Sequence, residues 1–571
     1  MAALTITTAK IPSGDSPVCG VALEPYVVVR RGDQNVDAKD CAEEGSGDAR
    51  FSLRFRWYRS TVNKGGAVCF FHQDREATLQ CVLCLRARVE QRKSYSCSTD
   101  CLRQHWGEHK NLHQNGASQH QHAYKSENGY GHGGGIKDTH TFSNGGETWI
   151  EVGKGRLYTP IQDDIGSILK CEVVSIDAAV PFSEHGKTFS MSTQRVRPTP
   201  SPPKRALAPV NPAPWNVQST GRFTALTYNL LADLYATAEQ FSYCQPWMLA
   251  WGYRKQNLVA ELVSYNADIM CLQEVQSNHF YDFLQPELLK HGYSAVYKKK
   301  TMEIYTGNSY AIDGCATFFK KDKFGLVKKY EVEFNKAALS LSDALPGDKK
   351  AAMNRLLKDN VALIVVLDAT AGQGQDKSVE QPKRQLICVA NTHIHANPEL
   401  NDVKLWQVHT LLKGLEKIAH SADIPMLVAG DFNSVPTSAA YGLIVKKQVD
   451  QGHAELSNDP LNILRPASKL QHTLNLASAY CGPPEHHENE NRRGRRHDAR
   501  PHEPKWTNVS KDFKGTLDYI FYTHESLVPA ALLELPEDST VQKSKNSGLP
   551  NEHWSSDHIA LMAEFAYRQQ R

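Results

Sequence analysis

The chain has 571 residues, 40% of them hydrophobic and 22% charged, with a net charge of +3. That length exceeds a single core and predicts two or three domains, while so small a charge excludes general avidity for polyanions and leaves only local basic surfaces for one. No basic-then-apolar leader and no apolar run of about 18 residues occurs, so neither secretion nor a membrane is expected. Of the thirteen cysteines, five fall between 69 and 101. Clustered thiols fit a reducing compartment and metal binding better than a disulfide framework, which predicts the cytoplasm or the nucleus.

In chain order, the first strand signals are VALEPYVVVRR at 21–31, RFSLRFRWYRS at 50–60, TWIEVG at 148–153 and SILKCEVVSID at 167–177. Their β-branched and aromatic content predicts a small β-sandwich over 1–196. The pairing of FRWYRS with the segment around Tyr158 resembles an immunoglobulin-like module, with Trp57 and Tyr158 as core anchors and Cys171 without an obvious disulfide partner.

A Cys/His cluster interrupts the sandwich at 69–113. It reads Cys69-x2-His72, Cys81-x2-Cys84, Cys97-x3-Cys101 and His109-x3-His113, eight ligands in four short-spaced pairs, enough for two tetrahedral Zn²⁺ ions. The alternative is one ion held by Cys81, Cys84 and two later ligands, with Cys69 and His72 left out. Either arrangement is structural, because four-ligand closure leaves no position open for chemistry. SYSCSTDCLRQHWGEHKNLH at 94–113 resembles the second half of a MYND finger. That resemblance implies interleaved sites, Cys69, His72, Cys97 and Cys101 on one ion and Cys81, Cys84, His109 and His113 on the other. It also implies a docking role for short Pro-containing peptides. His72 stands where such fingers usually have Cys, and twelve residues separate Cys84 from Cys97. Residues 114–146 read as a low-complexity insertion.

RPTPSPPKRALAPVNPAP at 197–214 carries seven prolines and predicts an extended linker, with the catalytic domain at 215–571. Beyond it, strand signals alternate with helical ones such as WMLAWGYRKQNLVAELVSY and DVKLWQVHTLLKGLEKIA, which predicts buried sheets covered by helices. The basic stretch 482–503 reads as a disordered surface insertion. Along this half, short apolar strands end in polar residues: TYNLLAD at 227–233, LQEV at 272–275, NTHIH at 391–395, GDFNS at 430–434, LDYIFY at 517–522 and SDHI at 556–559. Singly each is an ordinary strand-end cap or turn. Six in order predict a common catalytic edge.

Phosphodiester hydrolysis needs a divalent cation, for which carboxylate oxygens suit Mg²⁺, and Glu274 is the natural ligand. Asp431, with Asn433 at i+2 on the same strand face, suits the orientation and deprotonation of water. His558 suits polarisation of the phosphate, with Asp518 fixing its tautomer.

Asn229, Glu274, His393, Asp431, Asn433, Asp518 and His558, in these contexts, resemble the endonuclease/exonuclease/phosphatase superfamily over about 221–567. The resemblance implies a four-layered α/β sandwich with the site at one edge. DGCATFFKK at 313–321, MNRLLKDNVALIVVL at 353–367, HIHANPEL at 393–400 and KDFKGTLDYIFY at 511–522 are similar to the CCR4-type deadenylases, in the plant-type form with a zinc finger in place of leucine-rich repeats. This implies a Mg²⁺-dependent 3′→5′ exoribonuclease that shortens poly(A) tails to 5′-AMP, with Pro398 and Phe513 sandwiching an adenine. Asn397 stands before Pro398 where an acidic residue is expected. The implied partners are poly(A) RNA, a CAF1-type deadenylase and the CCR4-NOT complex, in the cytoplasm, P-bodies included, and the nucleus. The competing readings are a phosphatase on a small adenylated or inositol substrate, a DNA-repair endonuclease, and an inert scaffold. The last is disfavoured by the full set of catalytic residue types.

Overall fold

The computed structural model describes residues 4–11, 17–31, 34–38, 41–44, 51–60, 69–72, 77, 79–81, 83–84, 91–118, 141–144, 147–177, 186–199, 201–202, 204–210, 221–305, 310–344, 349–369, 385–422, 424–481, 503–541 and 547–568. The insertion at 482–503, apart from Glu503, and most of that at 114–146 lie outside them. The chain divides into two compact units, Met1–Thr199 and Pro200–Arg571.

In the first unit the alternation of FSLRFRWYRS places Phe51, Leu53, Phe55 and Trp57 on one buried face. Phe51–Ser60 is the centre of a five-stranded antiparallel sheet in the order Phe189–Arg195, Ile168–Asp177, Phe51–Ser60, Glu147–Lys154, Thr141–Asn144. A second, three-stranded sheet of Leu4–Lys10, Tyr26–Arg31 and Gln34–Asp37 contributes Ile6, Val27 and Val29 to the same core. Trp57 stacks on Tyr158 with centroids 5.5 Å apart, and its indole N–H donates to Gly155 O at 3.1 Å. The Tyr158 hydroxyl donates to buried Asp164 at 2.6 Å. Between these strands sit the short pair Leu79–Gln80 and Tyr95–Ser96 and the helices Thr99–Gln104 and Trp106–Ser118. Ser98 caps the first helix by accepting from Cys101 N at 3.0 Å.

The second unit is built on two facing sheets. One has seven strands in the order Leu207–Pro209, Leu527–Leu533, Leu561–Tyr567, Arg222–Asn229, Ile269–Gln273, Gly314–Lys320, Tyr293–Lys299. The other has six: Gly325–Glu333, Val361–Asp368, Leu386–His393, Met426–Asp431, Asp518–Thr523, Leu476–Ser478. Val361–Asp368 is buried at every position, which is why VALIVVLD reads as an unbroken apolar run rather than an alternating one. Val365, Val389, Ile269 and Phe565 fill the layer between the sheets. The helix Asn401–Ala422 packs Leu405, Leu412 and Leu415 on the outside of the six-stranded sheet. Trp251–Tyr265 packs Leu258 and Leu262 outside the other. The result is a four-layered α/β sandwich.

Two local readings differ from the structure. Leu207–Pro209, within the proline-rich stretch, is an edge strand paired with Leu527–Leu533, a position that tolerates proline. The strand-end reading does not hold for two segments: SDHI is a lead-in to the strand Leu561–Tyr567, and Asp518 of LDYIFY opens the strand Asp518–Thr523.

Candidate active site

The site lies where the two sheets end together. In the six-stranded sheet, register pairs His393 with Asp431 and Asp431 with Asp518, so three polar residues share one rung. In the other, Asn229 pairs with Gln273, and Glu274 follows at the strand end. Glu274 has φ +52°, so the chain leaves strand geometry at that residue. The rung needs close strands. Gly430, at φ +150°, lies where an added Cβ would stand 2.0 Å from Thr392 O, so only glycine lets the strands carrying His393 and Asp431 approach this closely.

Asn229 joins the two sheets. Its amide Nδ2 donates to Glu274 Oε1 and to Asp431 Oδ2, each at 3.0 Å, and its Oδ1 accepts from Leu231 N. Glu274 Oε2 accepts from Ala232 N at 2.9 Å. His558 Nδ1–H donates to Asp518 Oδ2 at 2.7 Å, and that oxygen also accepts from the Thr507 hydroxyl at 2.6 Å. The Nε2 atoms of His558 and His393 lie 3.7 and 3.6 Å from Asp431 Oδ2. His393 Nδ1 is buried without a hydrogen-bond partner.

Buried charge sets the protonation pattern. Burial pushes Asp431 up to about 7, with Asp518 adding to the shift and His558 and Asn229 opposing it. Burial also raises Glu274, helped by Asp557 and Asp313. For His558, burial disfavours the proton, but Asp518, Asp557 and Asp431 together outweigh it and hold the imidazolium well above the ordinary histidine range. Burial, Lys300 and His558 drive His393 well below that range, so it stays neutral. Two buried carboxylates held above their ordinary range, joined by one amide that donates to both, form an oxygen-rich donor set that fits Mg²⁺.

Asn433 is placed differently from the expected shared strand face. The strand ends at Asp431, Asn433 takes φ +47°, and its side-chain amide donates to Ile394 O at 2.9 Å while its backbone N–H donates to Asp431 Oδ1. It braces Asp431 through the backbone. Pro398 and Phe513 are both exposed on loops, Phe513 at 38%. The Phe513 ring covers Gly515 in the hairpin formed by Asn508–Val509 and Lys514–Gly515.

Several residues that matter here carry no local sequence signal. Arg254, fully buried, donates to Leu230 O, Leu231 O and Ser555 O, tying the segment after Asn229 to the one before His558. Gln273 Nε2 donates to Asn391 Oδ1 at 2.8 Å across the interior between the sheets. Buried Lys300 pairs with Asp313 at 2.9 Å beside Tyr235. Arg254 sits in the first turn of its helix and Asn391 opens NTHIH, and in neither place does sequence alone name the partner.

The eight finger residues gather into two groups, Cys69, His72, Cys97 and Cys101, and Cys81, Cys84, His109 and His113. Within each, every ligand atom lies within 4.8 Å of the others. His72 Nδ1 is 3.2 Å from Cys101 Sγ, and Cys84 Sγ is 3.3 Å from His109 Nε2. Burial and neighbouring Cys81 push Cys84 up to about 12. Two buried thiols beside two imidazoles are a donor set suited to a soft cation such as Zn²⁺.

With that geometry in place, the Endonuclease/Exonuclease/phosphatase family model matches residues 215–558, and the chain belongs to that family. Two proteins of Arabidopsis thaliana, carbon catabolite repressor protein 4 homolog 2 and homolog 1, are each 47% identical to it, over 608 and 597 residues, with 98% of both chains covered in each case. The CCR4-Not complex 3′-5′-exoribonuclease subunit Ccr4 of Mycosarcoma maydis is 32% identical over 369 residues, 60% of this chain and 50% of that one. Within the family its place is in the CCR4 deadenylase branch.

Proposed function

We propose that the protein is a Mg²⁺-dependent 3′→5′ exoribonuclease that shortens poly(A) tails, releases 5′-AMP and serves as a catalytic subunit of a CCR4-NOT-type complex. The observation that carries this reading is the convergence of Asn229, Glu274, Asp431, Asp518 and His558 at the joined sheet ends. Glu274 would hold the ion, which would neutralise charge developing on the scissile phosphate. Asn229, by donating to both carboxylates, fixes the Glu274 and Asp431 oxygens relative to each other. Asp431 accepts the proton of the attacking water. His558, kept protonated by Asp518, donates its Nε2–H to a phosphate oxygen or to the leaving oxygen. Neutral His393 sits beside Asp431 without adding charge. Pro398 and Phe513 would hold the terminal adenine between them.

The two finger clusters would each close around one Zn²⁺ and present a docking surface for a Pro-containing peptide, with a CAF1-type deadenylase as the partner. Cytoplasm and nucleus are the proposed compartments. The test is turnover of a 5′-labelled RNA carrying a 3′ A-tail, against the same RNA with a 3′ C-tail, with Mg²⁺ and with EDTA. Mg²⁺-dependent loss of A residues one at a time is expected. Equal turnover of both tails would sink the poly(A) reading, and activity in EDTA would sink the metal.

A further inference from the structure

Three lysines are buried among the described residues, Lys170, Lys300 and Lys404, at 7%, 7% and 6% exposure. Lys170 pairs with Glu172 at 3.0 Å and Lys300 with Asp313 at 2.9 Å. Lys404 has no carboxylate within ion-pair distance among the described residues, and its Nζ donates instead to a backbone carbonyl, Asn433 O, at 2.8 Å. A buried ammonium without a counter-charge carries a desolvation cost that packing does not return. Such a group is kept where it serves a site.

The helix that carries Lys404 addresses both turns that leave the catalytic rung. Lys404 and Gln407 stand three residues apart in the first two turns of Asn401–Ala422, on one face. Gln407 Oε1 accepts from His395 N at 3.0 Å, just past His393, while Lys404 reaches Asn433, just past Asp431. The turn at Asn433 is the strained one, with φ +47°, a conformation that persists only where its surroundings impose it. Its neighbours are held by uncharged donors, Phe432 N to Leu517 O and the Tyr519 hydroxyl to Ser434 O. The carbonyl of Asn433 itself is held by the Lys404 ammonium. In this conformation Asn433 N–H meets Asp431 Oδ1 at 2.9 Å, while Asn229 holds the other oxygen, Oδ2, at 3.0 Å. Asp431 and Glu455 are the anions whose attraction opposes the burial of Lys404.

Resting on the exoribonuclease reading, we infer that Lys404 is a positioning residue for the reaction: its charge-assisted hydrogen bond to the Asn433 carbonyl keeps the turn after Asp431 left-handed, and so fixes the rotation of the Asp431 carboxylate. The contacts run in series from ammonium to carbonyl, through the backbone of Asn433, and from its amide to the carboxylate. A hydrogen bond from a cation is about twice as strong as one between neutral groups, which suits it to hold a strained turn. In this role Lys404 touches neither RNA nor metal, and its effect falls on the chemical step.

The test compares the full-length wild-type chain with Lys404→Met, in which an apolar side chain of similar length replaces the cation. Removal of an unpaired buried charge offsets the lost hydrogen bond, so the variant should melt in EDTA close to wild type. In the same metal-free state the Asn433 amide should exchange with solvent faster by about tenfold or more. In Mg²⁺ the single-turnover rate on A-tailed RNA should fall by about tenfold or more, with RNA affinity in Ca²⁺ little changed. A melting temperature well below wild type, with a matching loss of rate, would make Lys404 a packing residue and overturn the inference. So would an Asn433 amide that exchanges as in wild type. A rate that falls only through weaker affinity would make Lys404 an RNA contact and overturn it too. Faster exchange at Asn433 in the variant of a chain whose wild type cleaves no RNA would keep the hold on the turn and sink the nuclease reading alone.

Discussion

Asp431 and His558 face each other across 3.7 Å with unlike responses to the same buried setting. Asp431 ionises near 7, while His558 gives up its proton only well above the ordinary range. Between those limits the pair is carboxylate and imidazolium, the state the proposed chemistry uses. The single-turnover rate should rise as pH passes the Asp431 value and fall when His558 loses its proton. Bound Mg²⁺ favours the carboxylate, so it should move the rising limb to lower pH. Asp518→Asn removes the anion nearest His558 and should draw the falling limb to lower pH as well as slow the step. A falling limb that stayed in place would take His558 out of its role. For stability the signs agree: the folded chain holds protons that the unfolded chain releases. Metal-free stability should drop between about pH 4 and 7 as Asp431 is forced to ionise, and the His558 contribution, complete below about 6.5, should be lost as pH climbs through its raised value.

Glu274→Gln should cut the single-turnover rate by roughly two orders of magnitude or more, the few kcal/mol of one metal-organising contact. Burial already disfavours its charge, but the Gln NH2 would face Asn229 Nδ2 or Ala232 N, which now donate there, so the variant should melt in EDTA close to wild type, and a large fall in melting temperature would mark Glu274 as structural. Phe513→Ala should lower the ratio of A-tail to C-tail turnover before it abolishes cleavage, read as kcat/KM on the two substrates. The residues foreseen in sequence flank apolar runs, Asn229, Glu274, His393 and Asp431 at the end of one, Asp518 and His558 before the start of one. Arg254 has no such mark, and for Asn391, which opens NTHIH, the mark does not name its partner. Their meaning lies in partners about 300 and 118 positions away, Ser555 and Gln273, which only the fold supplies.

At the scale of elements, the site depends on how the sheets are held. Arg254 fastens two catalytic segments to one helix. Arg254→Met would strand three carbonyl groups in the interior and should cost on the order of 3 kcal/mol by denaturant melts, with a fall in kcat larger than any change in KM. A variant with wild-type stability and activity would remove that brace. Gly430→Ala should be worse than its size suggests, since the added methyl meets backbone rather than a yielding side chain. The alternation of strands and helices was foreseeable from periodicity. The short strand Leu207–Pro209 was not, because seven prolines in eighteen residues mask two apolar residues at a sheet edge. The left-handed turn at Asn433 was hidden for a related reason: GDFN continues an apolar strand in pattern, while the chain has already turned at Asp431.

At the scale of the whole chain, the edge strand moves the boundary that matters. Arg205 donates to Glu534 O, Ala560 O and the Tyr265 hydroxyl, and Leu207–Pro209 pairs with the strand beyond. A fragment from Pro200 should therefore cleave A-tailed RNA in Mg²⁺ and melt above one from Trp215, and equal melting temperatures would show the strand to be ornamental. If the finger sites hold zinc as proposed, chelation should unfold 69–113, seen as lost protection of its amides from hydrogen exchange, while the Pro200 fragment keeps its rate.

The rung of His393, Asp431 and Asp518 carries one more implication. A strand offset by a single residue would turn its polar member into the apolar interior and put a hydrophobic one in its place, so the three groups meet in only one alignment of the sheet. Catalysis is thus a molecular vernier for this protein. In a refolding experiment circular dichroism would count strands however they were matched, whereas the first cleaved nucleotide would date the moment at which they were matched correctly.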